Sequence, residues 1–384
     1  MREEWTEARI DELGNGRRPV LKAGPFGSSV TKATYITSGY KVYGQQEVVA
    51  KDLNAEAYFV SETTFSRHKS CAVKPGDILM TMMGTIGRVY RVPEGAPEGI
   101  INPRLVRLAF DTSRILPEYA EVALEQPPLQ RLLDRRSHGG TMQGLNLEAL
   151  ASVRLPLPPL PEQRKIAEIL RTWDTAIQKA EQLIAAKERH YSHELSRLIS
   201  RGQHAHTHVG TFAEEVSARN RGGNEARVLS VTNSRGFVLP EDQFERRVAS
   251  ADLSNYKVVR RGQYAYNPSR INVGSIARLD GWEDGVLSPM YVVLRLDESK
   301  TNSDYFLHWL NSHEARQRIK NSAQGSVRET VSFSEFAAIT IPLPDTNTQT
   351  AIARCLNALR EEIDLLGQTV AALKTQKRGL MQKL

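Results

Sequence analysis

One stretch limits what this chain can become. Residues 155–200 read LPLPPLPEQRKIAEILRTWDTAIQKAEQLIAAKERHYSHELSRLIS. Apolar or packable side chains fall at Ile166, Leu170, Trp173, Ile177, Ala180, Ile184, Tyr191, Leu195 and Leu198, and only Lys187 interrupts the series. Steps of three and four residues are helix period, not strand period. Pro161 suits a first helical position, where its missing N–H costs nothing. Roughly 40 residues rising about 1.5 Å each make a rod of about 60 Å. So thin an apolar stripe on so long a rod needs a partner helix.

The partner lies further along the chain. Residues 341–384 read IPLPDTNTQTAIARCLNALREEIDLLGQTVAALKTQKRGLMQKL, and the two stretches register at an offset of 186. Ile166 meets Ile352, Leu170 meets Leu356, Trp173 meets Leu359, and Ile177 meets Ile363. Ala180 meets Leu366, Ile184 meets Val370, Leu195 meets Met381, and Leu198 meets Leu384. Pro156 and Pro158 meet Pro342 and Pro344, and Gln163 meets Gln349. A match without gaps through the prolines and down the seam predicts a tandem duplication. Thr346 and Gln349 are spaced for a capping box at the second helix start.

The remaining sequence repeats a mixed plan. The expected layout is a first domain over residues 1–158, a long helix over 159–201, a second domain over 202–344 and a second helix over 345–384. In the first domain, short apolar bursts such as 48–50 and 58–60 stand between Gly, Pro, Asn and Ser, which reads as β-rich. A buried strand is expected over 77–82, another after Gly84-Thr85-Ile86-Gly87-Arg88, and one helix over 117–133 with Tyr119, Val122, Ala123, Leu129 and Leu132 inward. In the second half, Gly262 stands 186 after Gly76. Gly274-Ser275-Ile276-Ala277-Arg278 aligns with the Gly84 segment at an offset of 190, which predicts four extra residues around Asn267-Pro268-Ser269-Arg270. The offset returns to 186 at Pro103 and Pro289 and at Tyr119 and Tyr305. Stretches 24–60 and 217–248 share little, as expected of one scaffold carrying two recognition surfaces.

This order predicts an α+β protein in which two long helices pack antiparallel as a coiled coil. The two mixed domains would be separated by that pair and inverted by a pseudo-two-fold axis. Duplex DNA has a matching two-fold relation between its strands, which is how dimeric proteins read spaced half-sites. The net charge of +7 and pI near 9.3 fit a polyanionic partner without requiring one. No apolar run reaches the ~20 residues of a membrane span. The first residues lack a signal-peptide core. Two cysteines, Cys71 and Cys355, make no disulfide framework. A cytoplasmic location is expected.

The arrangement resembles the DNA specificity subunits of type I restriction-modification enzymes. The resemblance is carried by LPLPPLPEQRKIAEIL at the first helix entry and by Gly24-Pro25-Phe26-Gly27-Ser28-Ser29. Ser254-Asn255-Tyr256-Lys257-Val258-Val259, Tyr266-Asn267-Pro268-Ser269-Arg270 and Gly274-Ser275-Ile276 add to it. The second helix entry departs from the pattern, with Asp345-Thr346-Asn347-Thr348-Gln349. The resemblance implies a non-catalytic subunit whose two target-recognition domains each read half of a split, asymmetric double-stranded DNA target. It implies helices that set the half-site spacing and dock two modification subunits. Those would carry S-adenosylmethionine and methylate adenine, and restriction/translocase subunits would join them. No cofactor is expected in this chain.

Base readout calls for Arg and Lys at guanine and Asn and Gln at adenine, and phosphates call for Lys, Arg, Ser and Thr. Candidates in the first domain are Lys22, Ser28, Ser29 and Lys32, then Thr141 and Gln143. In the second they are Arg219, Asn220, Arg221 and Asn224, then Arg270 and Asn272, then Gln324, Ser326 and Arg328. His204, His206 and His208 alternate as a zinc-binding strand would, but they follow a helix end where polar linkers are usual, and no metal is expected. Phosphate-binding GxxxxGK[ST] and GxGxxG are absent. Asn267-Pro268-Ser269-Arg270 lacks the second proline and the aromatic of amino-methyltransferases. Two other readings remain open: a coiled-coil scaffold without base readout, and the specificity chain of a related methyltransferase or type IIB-like system.

Overall fold

The computed structural model describes residues 5–25, 30–56, 58–137, 146–223, 225, 227–242, 252–323 and 330–382. The chain forms two compact units, Met1–Lys179 with Ala371–Leu384, and Ala180–Val370. The long helices run Leu160–Leu195 and Thr346–Gln382, so each unit holds one mixed domain and a portion of both helices. The first helix ends in a π turn, Ser196–Ser200.

In the first unit a four-stranded antiparallel sheet has the order Leu21–Ala23, Leu105–Leu108, Ile78–Thr81, Val89–Arg91. A smaller sheet sets Tyr40–Tyr43 between Phe59–Val60 and Gly99–Ile101. The second unit repeats the larger sheet as Ala213–Glu215, Val292–Leu296, Tyr264–Tyr266, Ile276–Arg278. Each domain is closed by a ribbon in which an early strand pairs with the strand just before a long helix. These ribbons are Thr6–Arg9 with Arg154–Leu157, and His206–His208 with Thr340–Pro342.

Strand register revises the predicted insertion. Ile78 pairs with Arg91 and Tyr264 pairs with Arg278. Going from 78 to 264 adds 186 and from 91 to 278 adds 187, so the loop of the second domain is one residue longer, not four. Two glycines agree with this register. Gly87 and Gly274 both have positive φ, 77° and 94°, a conformation that side-chain-bearing residues seldom adopt. The motif Gly-x-Ile had slid the sequence match by three places.

Three other expectations are corrected. Residues 48–50 lie in a helix, Gln45–Ala50, because Glu47 accepts the Gly44 N–H at 3.0 Å and starts a helical turn. The predicted helix over 117–133 is two, Pro117–Leu124 and Pro127–Ser137, divided where Pro127 and Pro128 cannot continue the first. The second long helix is capped by Asp345, not by a Thr346–Gln349 box. Its carboxylate accepts from the backbone N–H groups of Asn347 and Thr348, both at 3.0 Å, and from Thr348 Oγ1 at 2.7 Å. A charged acceptor at the residue before the helix satisfies the orphan donors and is held by the helix dipole. At the first helix, Leu160 takes the first position and Pro161 the second.

Gln349 is then free for another task, which Gln163 repeats. Both are fully buried. Gln163 Oε1 accepts the Leu116 N–H at 2.8 Å, and its Nε2 donates to Arg114 O and Pro158 O at 3.0 and 2.9 Å. Gln349 Oε1 accepts the Asn302 N–H at 2.7 Å, and its Nε2 donates to Lys300 O and Pro344 O at 3.2 and 2.7 Å. These three partners are each displaced by 186; Gln349 Oε1 also accepts from Thr301 Oγ1 at 3.2 Å, where the first domain has Ile115. Tyr119 Oη donates to Pro156 O at 2.9 Å and Tyr305 Oη to Pro342 O at 2.7 Å. Arg91 faces Glu118 at 3.4 Å as Arg278 faces Asp304 at 2.6 Å. Each domain is thus fastened to the start of its long helix by one repeated joint.

The seam residues predicted on the helices are covered. Ile166, Leu170, Ile177, Ile352, Leu356, Ile363 and Val370 are buried, and Trp173, Ile184, Leu359 and Leu366 half-buried. Within the second unit Lys187 pairs with Glu362 at 2.7 Å, and four residues on, Tyr191 lies under Arg360 at 5.9 Å. One helix number rises as the other falls, so the helices are antiparallel there. Within the first unit Lys377 donates to Asp174 at 2.5 Å, and Met381 packs on the core that includes Ile166 and Leu170, again an antiparallel crossing. The first domain's core is mainly aliphatic, with Ile78, Met80, Val106 and Leu108. That of the second is aromatic, with Tyr264, Tyr266, Phe306, Trp309 and Phe336. Among the described residues no helix is long and apolar enough to cross a membrane.

Candidate nucleic-acid interface

In the first domain the strand Leu21–Ala23 delivers the chain to Gly24, whose N–H donates to Leu105 O at 3.0 Å. A Cβ on Gly24 would lie 1.9 Å from Asn102 O, so only glycine lets the two backbones touch. Lys22, opposite Arg107 in the sheet, is half-buried. Lys32 is exposed on the short turn Lys32–Thr34, which is closed by Thr34 Oγ1 accepting the Thr31 N–H at 3.1 Å. Ser28, Ser29, Thr141 and Gln143 lie outside the described residues.

The same domain holds a buried ion pair. Lys41 Nζ and Glu47 Oε1 are 3.1 Å apart with side chains 4% and 0% exposed, and Lys41 also donates to Glu56 O at 2.6 Å. Burial, and then the Glu47 charge, push the Glu56 carboxyl above its ordinary value. The same domain carries two residues that the sequence reading did not single out, Gln45 and Arg104. Arg104 Nη1 donates to Gln45 Oε1 across a long 3.5 Å, and Gln45 Nε2 donates to Met83 O.

In the second domain Arg219 is exposed beside Lys257, and its Nη1 donates to Asn255 O at 2.6 Å. Asn220 is 4% exposed. Its Nδ2 donates to Glu225 O at 2.8 Å and its Oδ1 accepts the Glu225 N–H at 3.1 Å, so the side chain shapes the turn that presents exposed Arg221. Arg270 is exposed, and its carbonyl accepts the N–H groups of Val273 and Ser275, which fixes the loop after Tyr264–Tyr266. Asn272 is half-buried on the same loop, in a groove it shares with Thr232, Asn311 and Arg316. The candidates therefore form two sets, Arg219 with Arg221, and Arg270 with Asn272. Asn224, Gln324, Ser326 and Arg328 lie outside the described residues.

The histidines are dispersed in their contacts. His204 Nε2 lies 2.9 Å from Leu198 O, His208 Nδ1 lies 2.9 Å from Ala338 O, and His206 pairs with Pro342 in the ribbon. Among the described residues no group of three His, Cys, Asp or Glu is placed to hold a metal ion.

Arg104 was legible in principle. The register holds at Pro103 and Pro289 while the residues after them, Arg104 and Met290, differ completely in chemistry.

Comparison with known proteins agrees with this architecture. The family described as "Type I restriction modification DNA specificity domain" matches residues 2–188 and 269–375. The type I restriction enzyme EcoBI specificity subunit of Escherichia coli is 24% identical over 265 residues, 66% of this chain and 51% of that protein. The chain thus spans about half the length of that relative. A putative type I restriction enzyme MjaX specificity subunit of Methanocaldococcus jannaschii is 21% identical over 80% of this chain and 77% of its own. Among solved structures, the type I restriction-modification S subunit from M. genitalium superposes with a TM-score of 0.60 at 16% identity, covering 99% of this chain and 95% of that one. A chain from a study of complex assembly and conformational transition in the type I R-M system gives 0.58 at 15% identity, covering 100% and 98%. At these identities the structures speak for the fold, and the family match, covering more than half of the sequence, speaks for descent: the chain belongs to the type I restriction modification DNA specificity domain family.

Proposed function

We propose that this chain is the DNA sequence-specificity subunit of a type I restriction-modification system, with one half of a bipartite target read by each domain. The observation that carries the reading is the repeated joint at Gln163 and Gln349. It fastens two domains of one plan to a helix pair in the same way, while their outer loops have diverged. Constant attachment with divergent surfaces suits a device that reads two unlike words at a set separation. The exposed cations Lys32, Arg104, Arg219, Arg221 and Arg270 suit phosphate and base-edge contacts.

The chain's part in the enzyme is recognition. Adenine methylation and its S-adenosylmethionine would belong to two modification subunits, and cleavage to restriction/translocase subunits. The long helices offer docking surface for such partners. Ile169, Leu183 and Leu365 are 51%, 44% and 54% exposed on helices whose other apolar residues are mostly covered.

Selection from a pool of random duplexes by the purified full chain, followed by sequencing, tests the reading. Recovery of a two-part motif with a constant spacer is the expected result. Recovery without sequence preference would favour the coiled-coil scaffold, and adenine methylation by the chain alone would favour a fused methyltransferase.

A further inference from the structure

The turn after the shared proline has the same frame in both domains and opposite chemistry at its tip. In the first domain Leu105 N–H donates to Asn102 O at 3.2 Å, and in the second Tyr291 N–H donates to Ser288 O at 3.0 Å. Both residues of each pair are displaced by 186. Between them stand Pro103 followed by Arg104, and Pro289 followed by Met290. Arg104 and Met290 are both exposed, Met290 at 59%.

The Arg104 backbone is held from two sides. Its N–H donates to Asn102 Oδ1 at 2.9 Å and its carbonyl accepts the Met82 N–H at 2.9 Å. Among the described residues its side chain makes one hydrogen bond, a long 3.5 Å contact to Gln45. Among the described residues no carboxylate lies within ion-pair distance of it, although the Glu56 carboxyl feels its charge, whereas Arg9, Arg18 and Arg91 in the same unit are taken by Asp11, Asp77 and Glu118. A guanidinium has five donors in a fixed fork, so most of this one's donors have no hydrogen-bond partner among the described residues. Met290 has the opposite character. An exposed thioether beside Asn267, Pro268, Ser269 and Phe333 offers an apolar contact and no donor.

We propose, resting on the specificity-subunit reading above, that this tip is a specificity-determining position in both domains. Arg104 reads a guanine through paired donors to O6 and N7, and Met290 packs on a thymine methyl group. These are the matches that the major groove offers to a fork and to an apolar side chain.

The test uses the full chain, a pool of random duplexes, and then fluorescence anisotropy at fixed salt on duplexes that differ by one base pair. Arg104→Met is expected to erase a guanine preference at one position in one half of the motif and to leave the other half intact. Affinity for the selected duplex should fall about 5- to 100-fold. Arg104→Lys keeps the charge and the salt dependence but loses the fork, and should erase the same preference. Met290→Arg should change one position of the other half from thymine to guanine. A wild-type motif left unchanged by Arg104→Met and Met290→Arg, or altered equally in both halves, overturns this assignment while the specificity reading stands. A guanine preference that survives Arg104→Lys overturns the forked contact. A wild-type chain that recovers no motif overturns both readings.

Discussion

Tyr191 Oη lies 2.9 Å from Nδ1 of His308, which joins the first long helix to the helix Ser303–Asn311 of the second domain. The chain of contacts continues outward. His308 Nε2 is 2.8 Å from Asn357 Oδ1, Asn357 Nδ2 donates to Asp304 Oδ2 at 2.8 Å, and Arg278 donates to Asp304 Oδ1 at 2.6 Å. With the Asn357 amide donating to Asp304, its oxygen accepts His308 Nε2–H and leaves Nδ1 to accept from the tyrosine. Burial favours the neutral imidazole, in which this assignment satisfies both ring nitrogens.

That preference sets a pH dependence. Burial lowers the His308 pKa below its ordinary 6.5, and Arg278 and Arg360 add to the effect against Asn357 and Asp304. The unfolded chain binds the proton more readily than the folded one, so stability is whole above about pH 6.5 and falls as the pH drops below it. The loss stops once the pH is under the folded pKa. Thermal melting between pH 8 and pH 5 should show this decline, and His308→Gln should flatten it. A melting temperature equally pH-dependent in the variant would place the effect elsewhere.

The two glutamine joints predict a matched pair of variants. Gln163→Ala leaves the Leu116 N–H and two carbonyls without their partner in a buried site, and Gln349→Ala does the same at Asn302 and also strands the Thr301 hydroxyl. Each orphaned buried group costs about 1–3 kcal/mol. Urea unfolding should show a loss of about 3 kcal/mol for each variant. A loss below about 1 kcal/mol at either site would contradict the role given to the joint.

The cap assignment separates adjacent residues. Asp345→Ala removes three hydrogen bonds from the second helix start and should cost about 1 kcal/mol. Thr346→Ala should cost much less, because the threonine is not the cap. Chemical denaturation of the two variants checks the order, and the reverse ranking would restore the capping box.

The Lys41–Glu47 pair predicts a rescue. Lys41→Met strands the buried Glu47 carboxylate and should cost about 3–5 kcal/mol. Adding Glu47→Gln removes the charge but keeps an acceptor for the Gly44 N–H, and should restore much of the loss. A double variant no more stable than Lys41→Met alone would show that the charge is not the source of the cost.

The duplication was readable because its marks are local and periodic. The helix seam, the prolines and Gln163 with Gln349 all lie in ungapped register. Their hydrogen bonds were not readable, since Gln349 reaches back to Lys300 and Asn302. The three-place slip at Gly274 arose because a short Gly-x-Ile motif matches by composition, while strand pairing follows Arg91 and Arg278. At the surface, residue type proposed Asn220 and Arg219 alike. The fold separates them, burying one in its turn and leaving the other exposed. Arg104 escaped because one arginine in a loop carries no period. It stands out only when its turn is laid over that of Met290.

One crossing position on the helix pair is filled by Asp174 with Lys377 in the first unit and, 186 residues displaced, by Arg360 with Tyr191 in the second. A protein assembled from two copies of the second half would set Arg360 against Lys377, cation on cation. One assembled from two copies of the first would set Asp174 against Tyr191 and lose the ion pair. At this crossing the two halves are complementary, and a doubled half of either kind would lose the ion pair.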